Sequence, residues 1–437
     1  MLRSTFNAKR FTMNHDFFYR KRLLAVRLRP LLLFLAVLGP GIITANVDND
    51  AGGIAVYSSA GANHGYALLW VLIPTMIALI VIQEMCSRMG VVTSKGLADL
   101  IRENFGVKIT VCMMFALVVT NAANTVSEFA GLAASGEILG ISRYIVVPIC
   151  AFLVWALVVK GSYVTVEKIF LVACLVYIAY PISGFLAHPD WGSVLHHTLV
   201  PTLQPNAAFL MMIISVIGTT IAPWMQFYLQ ASIVEKGTRI EQYGWGRFEV
   251  ILGCVIAIVV AFFITVACGA TIFQAGGKPI EDAAQAALAL RPLAGRFAAT
   301  LFAIGLFNAS LFAASILPLS TSLTVCEGIG WEKGVDRSFR EAREFYLLYT
   351  CLIVVGAVIV LIPGINLLKT MIISQFLNGL LLPVLLVLMQ RLINNQSLMG
   401  SYTNSRSYNI IAWATAVGIG LLSLALAIIT LFFPAAG

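Results

Sequence analysis

The stretch that decides the fold reads Gly39-Pro40-Gly41 and, a little further on, Asp48-Asn49-Asp50-Ala51-Gly52-Gly53. It lies inside the first long apolar segment, at residues 31–60. Glycine and proline break helices, and lipid offers no partner to the backbone groups that a break exposes. A break therefore survives in a membrane only where it is packed in protein or lines a wet cavity. Because carboxylates at that depth are costly and mark ion or substrate sites, the stretch predicts a broken membrane helix at a binding site.

The composition of the chain is that of a membrane protein. Of its 437 residues, 59% are hydrophobic and 11% are charged, whereas a soluble domain carries about 25% charged residues. Apolar runs long enough to cross a bilayer predict eleven spans, near 31–60, 66–86, 108–136, 144–160, 163–187, 207–232, 248–271, 297–325, 345–362, 366–390 and 408–433. We expect an all-α multi-pass protein in a lipid bilayer, without a soluble domain or a nucleic-acid partner. No pattern predicts an oligomeric state.

The basic residues predict how the chain is oriented. If the N-terminus is cytoplasmic, only five of the 28 Lys and Arg residues fall on the outer side: Arg143, Lys278, Arg291, Arg296 and Lys369. An excess of basic residues in cytoplasmic segments is the positive-inside rule. We therefore expect a cell-membrane protein with a basic cytoplasmic tail at residues 1–30 and an extracytoplasmic C-terminus.

One connection on the outer side, residues 188–206, is expected to be a turn-rich loop. Its three histidines, His188, His196 and His197, are expected to be solvated rather than to bind a metal ion.

A second break interrupts the sixth span, at Thr219-Thr220-Ile221-Ala222-Pro223-Trp224. Breaks in the first and sixth spans are typical of secondary transporters built as an inverted repeat, in which the ligand binds near the membrane midplane between the two breaks. Residues 31–187 are then the first five-helix repeat, residues 207–390 the second, and residues 408–433 an additional eleventh helix. This is the five-plus-five, LeuT-type architecture.

Motifs for other functional classes are missing from the sequence. It contains neither a Walker loop nor a His-Glu-x-x-His motif, which argues against an ATP-driven pump or a membrane protease. We expect a protein that is not an enzyme and has no bound cofactor.

The two breaks provide candidate ligands for a cation. Asp50 is the first candidate, and Gly53 beside it gives an ion access to the backbone. In the second break, Pro223 has no N–H, which leaves the carbonyl of Thr219 without its helical donor, and Ala222 offers its own carbonyl. Oxygen ligands alone suit a hard cation such as Mg²⁺, Mn²⁺ or Ca²⁺. Asp48 is expected to cap or brace the first break rather than to share the ion.

Other polar side chains lie within predicted spans. Glu128, in the third span, either lines a water path or makes structural hydrogen bonds. In the tenth span, Ser374, Gln375 and Asn378 fall on one helical stripe. The side-chain amides of Gln375 and Asn378 either face the ion or pack between helices, and both interpretations are open.

At these residues the chain resembles the NRAMP family of divalent-metal transporters, over essentially its whole hydrophobic length, and most closely the NRAMP-related magnesium transporter branch. The spacing from Gly39-Pro40 to Asp50, the Ser374-Gln375 pair and Glu128 match the family pattern. The resemblance implies a metal site formed by Asp50, Gly53, Thr219, Ala222 and Gln375. The departures are equally specific. Asp-Pro-Gly-Asn of the family reads Asp50-Ala51-Gly52-Gly53 here, Met-Pro-His reads Ala222-Pro223-Trp224, and the family's acidic partner of Glu128 is replaced by Thr125.

These departures bear on the substrate and on proton coupling. A methionine thioether favours soft transition metals, so Ala222 removes that preference, and Gly53 adds room for the water that Mg²⁺ retains. The missing histidine and aspartate argue against proton coupling. We expect transport of Mg²⁺, and also Mn²⁺, by alternating access without obligatory proton coupling. Five residues are assigned to a water or proton path or to the surroundings of the site: Glu128, Thr125, Asp48, Asn378 and Trp224. The alternatives are a proton-coupled Mn²⁺/Fe²⁺ importer and, less favoured, a sodium/amino-acid symporter of the same fold.

Overall fold

The computed structural model describes residues 49–160, 178–204, 206–274, 276, 280–332, 334 and 339–432. These residues form helices and turns and no strand, as the predicted all-α class requires. The helices of eight or more residues are α1 (Ala51–His64), α2 (Leu69–Thr93), α3 (Leu97–Ile138), α4 (Arg143–Lys160), α5 (Ala179–Leu186), α6 (Trp191–Leu199), α7 (Ala207–Thr220), α8 (Pro223–Glu235), α9 (Tyr243–Cys268), α10 (Ala298–Ile329), α11 (Arg343–Leu361), α12 (Leu367–Ile393) and α13 (Arg406–Phe432).

Eight helical stretches in the described part of the chain are long and apolar enough to cross a membrane. They coincide with the second, third and sixth to eleventh predicted spans, and α4 coincides with the fourth. The first predicted span is described from residue 49 and the fifth from residue 178. Large apolar side chains such as Phe115 and Phe152 are about 70% exposed on the outer surface, where lipid would cover them.

Helices begin or end at both predicted breaks. Helix α1 begins inside the first apolar segment, directly after Asp50, whereas the Gly39-Pro40 motif and Asp48 lie outside the described residues. Helix α7 ends at Thr220, and α8 begins at Pro223, the first helical position, where a missing N–H costs nothing. Ala222 between them is extended. The predicted break in the sixth span is therefore confirmed.

Small residues allow the helices around α1 to approach closely. A Cβ atom on Gly131 of α3 would lie 2.2 Å from the Ser310 hydroxyl of α10 and 2.5 Å from the Cβ of Ala51. A Cβ on Gly218 of α7 would lie 2.2 Å from the backbone oxygen of Gln375. The backbones of α7 and α12 are thus in contact, the packing that membrane helices achieve with small residues.

One end of the bundle, which we call the basic end, carries the C-terminal ends of α2, α8, α10 and α12. Gln230 of α8 donates a hydrogen bond to the backbone oxygen of Lys95, which follows α2. Arg102 of α3 donates to the backbone oxygen of Glu327 of α10. The first part of α3 is separated from its membrane part at Gly106, which has a φ of 81°.

The connection at residues 188–206 differs from the expectation. Instead of turns throughout, it contains helix α6, which begins after Asp190 because that side chain accepts a hydrogen bond from the Gly192 N–H at 3.0 Å. His197 is half-buried, and its ring packs edge-on against Tyr66. The turn-rich prediction was therefore wrong for residues 191–199, and full solvation was wrong for His197.

Candidate functional site

The site is built on the N-terminal end of α1. The carboxylate of Asp50 is buried, and its Oδ1 accepts a hydrogen bond of 2.7 Å from the Gly53 N–H. Aspartate is favoured at this position because it pairs with a free amide and its charge is stabilised by the helix dipole. Gly53 therefore faces Asp50 with its N–H. Its carbonyl, like any carbonyl inside a helix, points toward the C-terminal end, so Gly53 contributes an amide and space rather than the predicted access to a carbonyl.

Glu128 of α3 lies at the same helix end. Its Oε2 accepts a hydrogen bond of 3.3 Å from the Ala51 N–H, and its carboxyl group is close enough to that of Asp50 to interact with it. Its Oε1 is buried and has no hydrogen-bond partner among the described residues. Neither carboxyl group takes part in the ion pairs of the described chain. Buried carboxylates without a cationic partner are costly, so this pair suits a bound cation or a proton.

The C-terminal end of α7 supplies free oxygen atoms. The Thr219 hydroxyl is buried and lacks a hydrogen-bond partner in the part of the chain that the structure describes. The Thr219 carbonyl faces Pro223, which has no N–H to donate. The Ala222 carbonyl accepts a hydrogen bond of 3.1 Å from the Met225 N–H and keeps its second lone pair. The end of a helix carries partial negative charge, so this turn favours a cation.

Gln375 of α12 touches both breaks. A Cβ atom on Gly52 would lie 1.8 Å from the Gln375 Nε2, so only glycine leaves room for this side chain beside Asp50. The Gln375 backbone, in turn, contacts Gly218 of α7. The start of α1 and the end of α7 are further joined by a hydrogen bond of 2.7 Å between the hydroxyls of Tyr57 and Thr220. The start of α1, the end of α7 and Gln375 of α12 are therefore adjacent, with Asp50 and Thr219 at the two helix ends.

A chain of buried amides continues from Gln375 to α3. Asn378 donates a hydrogen bond of 2.8 Å to the Gln375 Oε1, and its amide pairs with that of Asn124 at 3.0 Å. Of the two readings left open for the α12 stripe, Asn378 packs between helices, whereas Gln375 lies against the site. The sequence argument did not single out Asn124. Its signal was its position one turn before Glu128 on the same helix face.

The remaining predicted residues make other contacts. The Thr125 hydroxyl donates to the backbone oxygen of Asn121 within its own helix, and the buried Trp224 ring packs against Tyr228. The Ser374 hydroxyl bonds the backbone oxygen of Met371. Asp48 lies outside the described residues. None of these contacts involves Asp50.

The donor set of the site limits which cations it suits. No group of three or more His, Cys, Asp or Glu side chains that would hold a metal ion is present in the described ranges. The oxygen donors are carboxylates, a hydroxyl and backbone carbonyls, and no sulfur or imidazole is among them. The Gln375 amide turns its Nε2 toward Gly52 and its Oε1 toward Asn378. Such a set suits a hard divalent cation that keeps part of its water shell.

Comparisons with known proteins also point to metal transport. Residues 41–429 match the family described as natural resistance-associated macrophage protein-like, or Nramp. The divalent metal cation transporter MntH of Klebsiella pneumoniae subsp. pneumoniae is 27% identical over 391 residues, covering 87% of this chain and 91% of that protein. MntH of Erwinia tasmaniensis is 28% identical over 381 residues, covering 85% and 89%.

Solved structures establish the fold independently. A manganese transporter from Eremococcus coleocola has a TM-score of 0.72 at 21% identity, covering 92% of this chain and 88% of that chain. Mhp1, a transporter of the nucleobase-cation-symport-1 family, has a TM-score of 0.54 at 15% identity, covering 90% and 92%. These likenesses confirm the predicted LeuT-type fold. Because the family model matches most of the chain, this multi-pass membrane protein belongs to the Nramp family and is a transporter rather than an enzyme.

Proposed function

We propose that the protein transports divalent metal cations, Mn²⁺ and Mg²⁺, by alternating access, with Asp50 as the charged ligand. The observation that carries this proposal is the buried Asp50 carboxylate at the start of α1, with the Gln375 amide against the neighbouring Gly52 and the unpaired Thr219 hydroxyl at the adjacent end of α7. The relatives named divalent metal cation transporter and the manganese transporter of the same fold support the divalent class. Gly53 and Ala222 contribute space, and the Ala222 carbonyl is a further oxygen ligand.

We include Mg²⁺ among the transported ions because residue 222 is alanine. Ala222 brings no sulfur, and sulfur is what would favour soft transition metals. Mg²⁺ dehydrates reluctantly and usually keeps several waters, so a site with two small residues, Gly53 and Ala222, suits it. This reasoning supports the magnesium-transporter branch of the family as the nearer functional class.

Coupling to protons separates the two candidate functions. We propose transport without obligatory proton coupling, because Thr125 and Trp224 stand where the family carries titratable residues. A proton-coupled Mn²⁺/Fe²⁺ importer is the second candidate. It is favoured by the interaction between the Asp50 and Glu128 carboxyl groups, since a cation bound to one would displace a proton from the other. We also propose that the basic end and the N-terminus face the cytoplasm.

A liposome assay tests the proposal. The purified protein is reconstituted with an internal dye for Mg²⁺ or Mn²⁺ and, in parallel, an internal pH dye. We expect both cations to enter without internal acidification. Entry of Mn²⁺ with acidification, and no entry of Mg²⁺, would establish the second candidate instead. Loss of acidification but not of Mn²⁺ entry in Glu128→Gln would identify Glu128 as the proton carrier.

A further inference from the structure

Three buried glutamines extend from the site toward the basic end. Gln226 and Gln230 are four residues apart on α8, so both lie on one face of the helix, which begins directly after Ala222. Gln83 lies opposite, on α2. Each glutamine is at most 2% exposed. We call Gln83, Gln226 and Gln230 the glutamine column.

The hydrogen bonds within the glutamine column do not satisfy all of its amide atoms. Gln83 Nε2 donates to Gln226 Oε1 at 3.2 Å, and Gln230 Nε2 donates to the backbone oxygen of Lys95 at 2.9 Å. The other amide atoms, Gln83 Oε1, Gln226 Nε2 and Gln230 Oε1, are buried without a partner among the described residues. An unpaired buried polar atom destabilises the folded protein, and three side chains of the column each carry one. Water or an ion between α2 and α8 removes that destabilisation.

The column leads to a cavity at the basic end. This cavity has a volume of about 310 Å³. It is lined by the ends of α2 and α8, including Gly90 and Ile233, and by residues 237–241, which include Arg239 and Glu241. A Cβ atom on Gly90 would lie 3.3 Å from the Gln230 Cγ and 3.2 Å from the Ile233 Cγ2. Gln230 is thus next to the cavity wall, and the cavity has room for several waters. The column therefore bridges the break at Ala222 and a space that can hold a hydrated ion.

We propose that the glutamine column is a second cation station, where a partly hydrated divalent cation pauses between the Asp50 site and the basic end. This inference rests on the proposed function. Amide oxygens are neutral hard donors suited to Mg²⁺ and Mn²⁺. Because none of the three side chains carries a charge, the station binds weakly enough for the ion to leave, as conduction through successive sites requires. Rotation of an amide about its last torsion exchanges its oxygen and nitrogen, so Gln226 can also present an oxygen.

Transport rates test the station with a matched control. The variants are Gln226→Leu and Gln83→Leu, which keep the side-chain bulk and remove the amide. The control is Gln390→Leu in α12, because Gln390 is equally buried and also has one unpaired amide atom, but is not in the column. We expect initial Mn²⁺ uptake into liposomes to fall about tenfold in each column variant, the loss of one hydrogen bond to a charged group. The Kd for Mn²⁺ at the Asp50 site, measured by calorimetry in detergent, should not change.

Three results of that experiment would overturn the proposal. One is wild-type uptake in both column variants. Another is an equal loss of uptake in Gln390→Leu, which would make the effect one of packing. A change in Kd equal to the change in rate would likewise contradict a separate station.

Measuring Mn²⁺ binding tests the second cation station without a transport assay. In an Asp50→Ala background, we expect Gln226→Glu to bind one Mn²⁺ per chain, because a carboxylate strengthens an existing oxygen site, and Gln390→Glu to bind none. If Asp50→Ala alone transports like the wild type, the proposed function fails at its site, but this comparison still reads the column. Absence of Mn²⁺ from the folded, monodisperse Gln226→Glu variant overturns the station.

Discussion

Asp50 has two tasks that fall on different atoms. Its Oδ1 accepts the Gly53 amide and thereby starts α1, which leaves its charge and its other oxygen for the site. The two tasks can be separated because asparagine also caps helices well. A substitution that keeps the cap and removes the charge isolates the role in transport.

We predict that Asp50→Asn lowers Mn²⁺ uptake by at least about 100-fold, since it removes an ionic ligand contact worth about 3 kcal/mol. Thermal unfolding in detergent should change little. Asp50→Ala should lose uptake to the same extent and, in addition, about 1 kcal/mol of stability through the lost cap. Wild-type uptake by Asp50→Asn would remove Asp50 from the site.

The second prediction for a single residue concerns Gly52. Its missing side chain is the space that Gln375 Nε2 occupies. Gly52→Ala should displace Gln375, cost about 1–3 kcal/mol by overpacking and weaken Mn²⁺ binding in calorimetry. Gly246→Ala in α9 is the matched control, because a Cβ there meets nothing within 4 Å. Equal Kd values for the Gly52→Ala variant and the wild type would contradict the contact between Gln375 and the ion.

At the scale of helices, α12 is oriented at the site by its amides. Gln375 is held by Asn378, which is held by Asn124 of α3. The last two are 254 residues apart in sequence, and both are fully or almost fully buried. These hydrogen bonds fix the orientation of the Gln375 amide.

We predict that Asn378→Leu lowers Mn²⁺ affinity about tenfold, because Gln375 loses its hydrogen-bond partner and its fixed orientation. If Asn378 acts through Gln375, the loss must vanish when Gln375→Ala is already present, since the two residues are then coupled. Calorimetric titration of the two single variants and the double variant measures this. Additive losses would mean that Asn378 acts on its own.

The helices also show what could be predicted from the sequence. The break between α7 and α8 was predictable because Pro223 acts locally, through its missing N–H. Helix α6 escaped prediction because its signal is a single capping residue, Asp190, in a segment rich in turn formers. Asn124 could not be paired with Asn378, since each has several polar candidates in distant helices and only packing selects among them. Likewise, the spacing around Gly53 does not tell whether an N–H or a carbonyl will face Asp50.

At the scale of the molecule, Arg88 joins three parts of the basic end. Its guanidinium pairs with Glu84 of the same helix at 3.2 Å and donates to the backbone oxygens of Tyr402 and Thr403, before α13. Glu84 also accepts a hydrogen bond from Tyr243 of α9. The pair of Glu84 and Arg88 thus joins α2, α9 and the segment that precedes α13.

We predict that Arg88→Met destabilises the protein by about 3–5 kcal/mol, because it leaves the buried Glu84 carboxylate without its cation. The double variant Arg88→Met with Glu84→Gln should recover part of that loss, since no unpaired charge remains. Unfolding of purified protein in detergent, followed by fluorescence, compares the three. No recovery in the double variant would show that the backbone contacts of Arg88 dominate.

The position of Gln375 between the two breaks has a mechanical consequence. Its side chain presses on Gly52 while its backbone touches Gly218, with hardly an atom's width to spare on either side. Any tilt that changes the distance between α1 and α7 must therefore displace Gln375. With Gln375 as a ligand, as proposed above, such a tilt would change the packing of the bundle and the binding of the ion together.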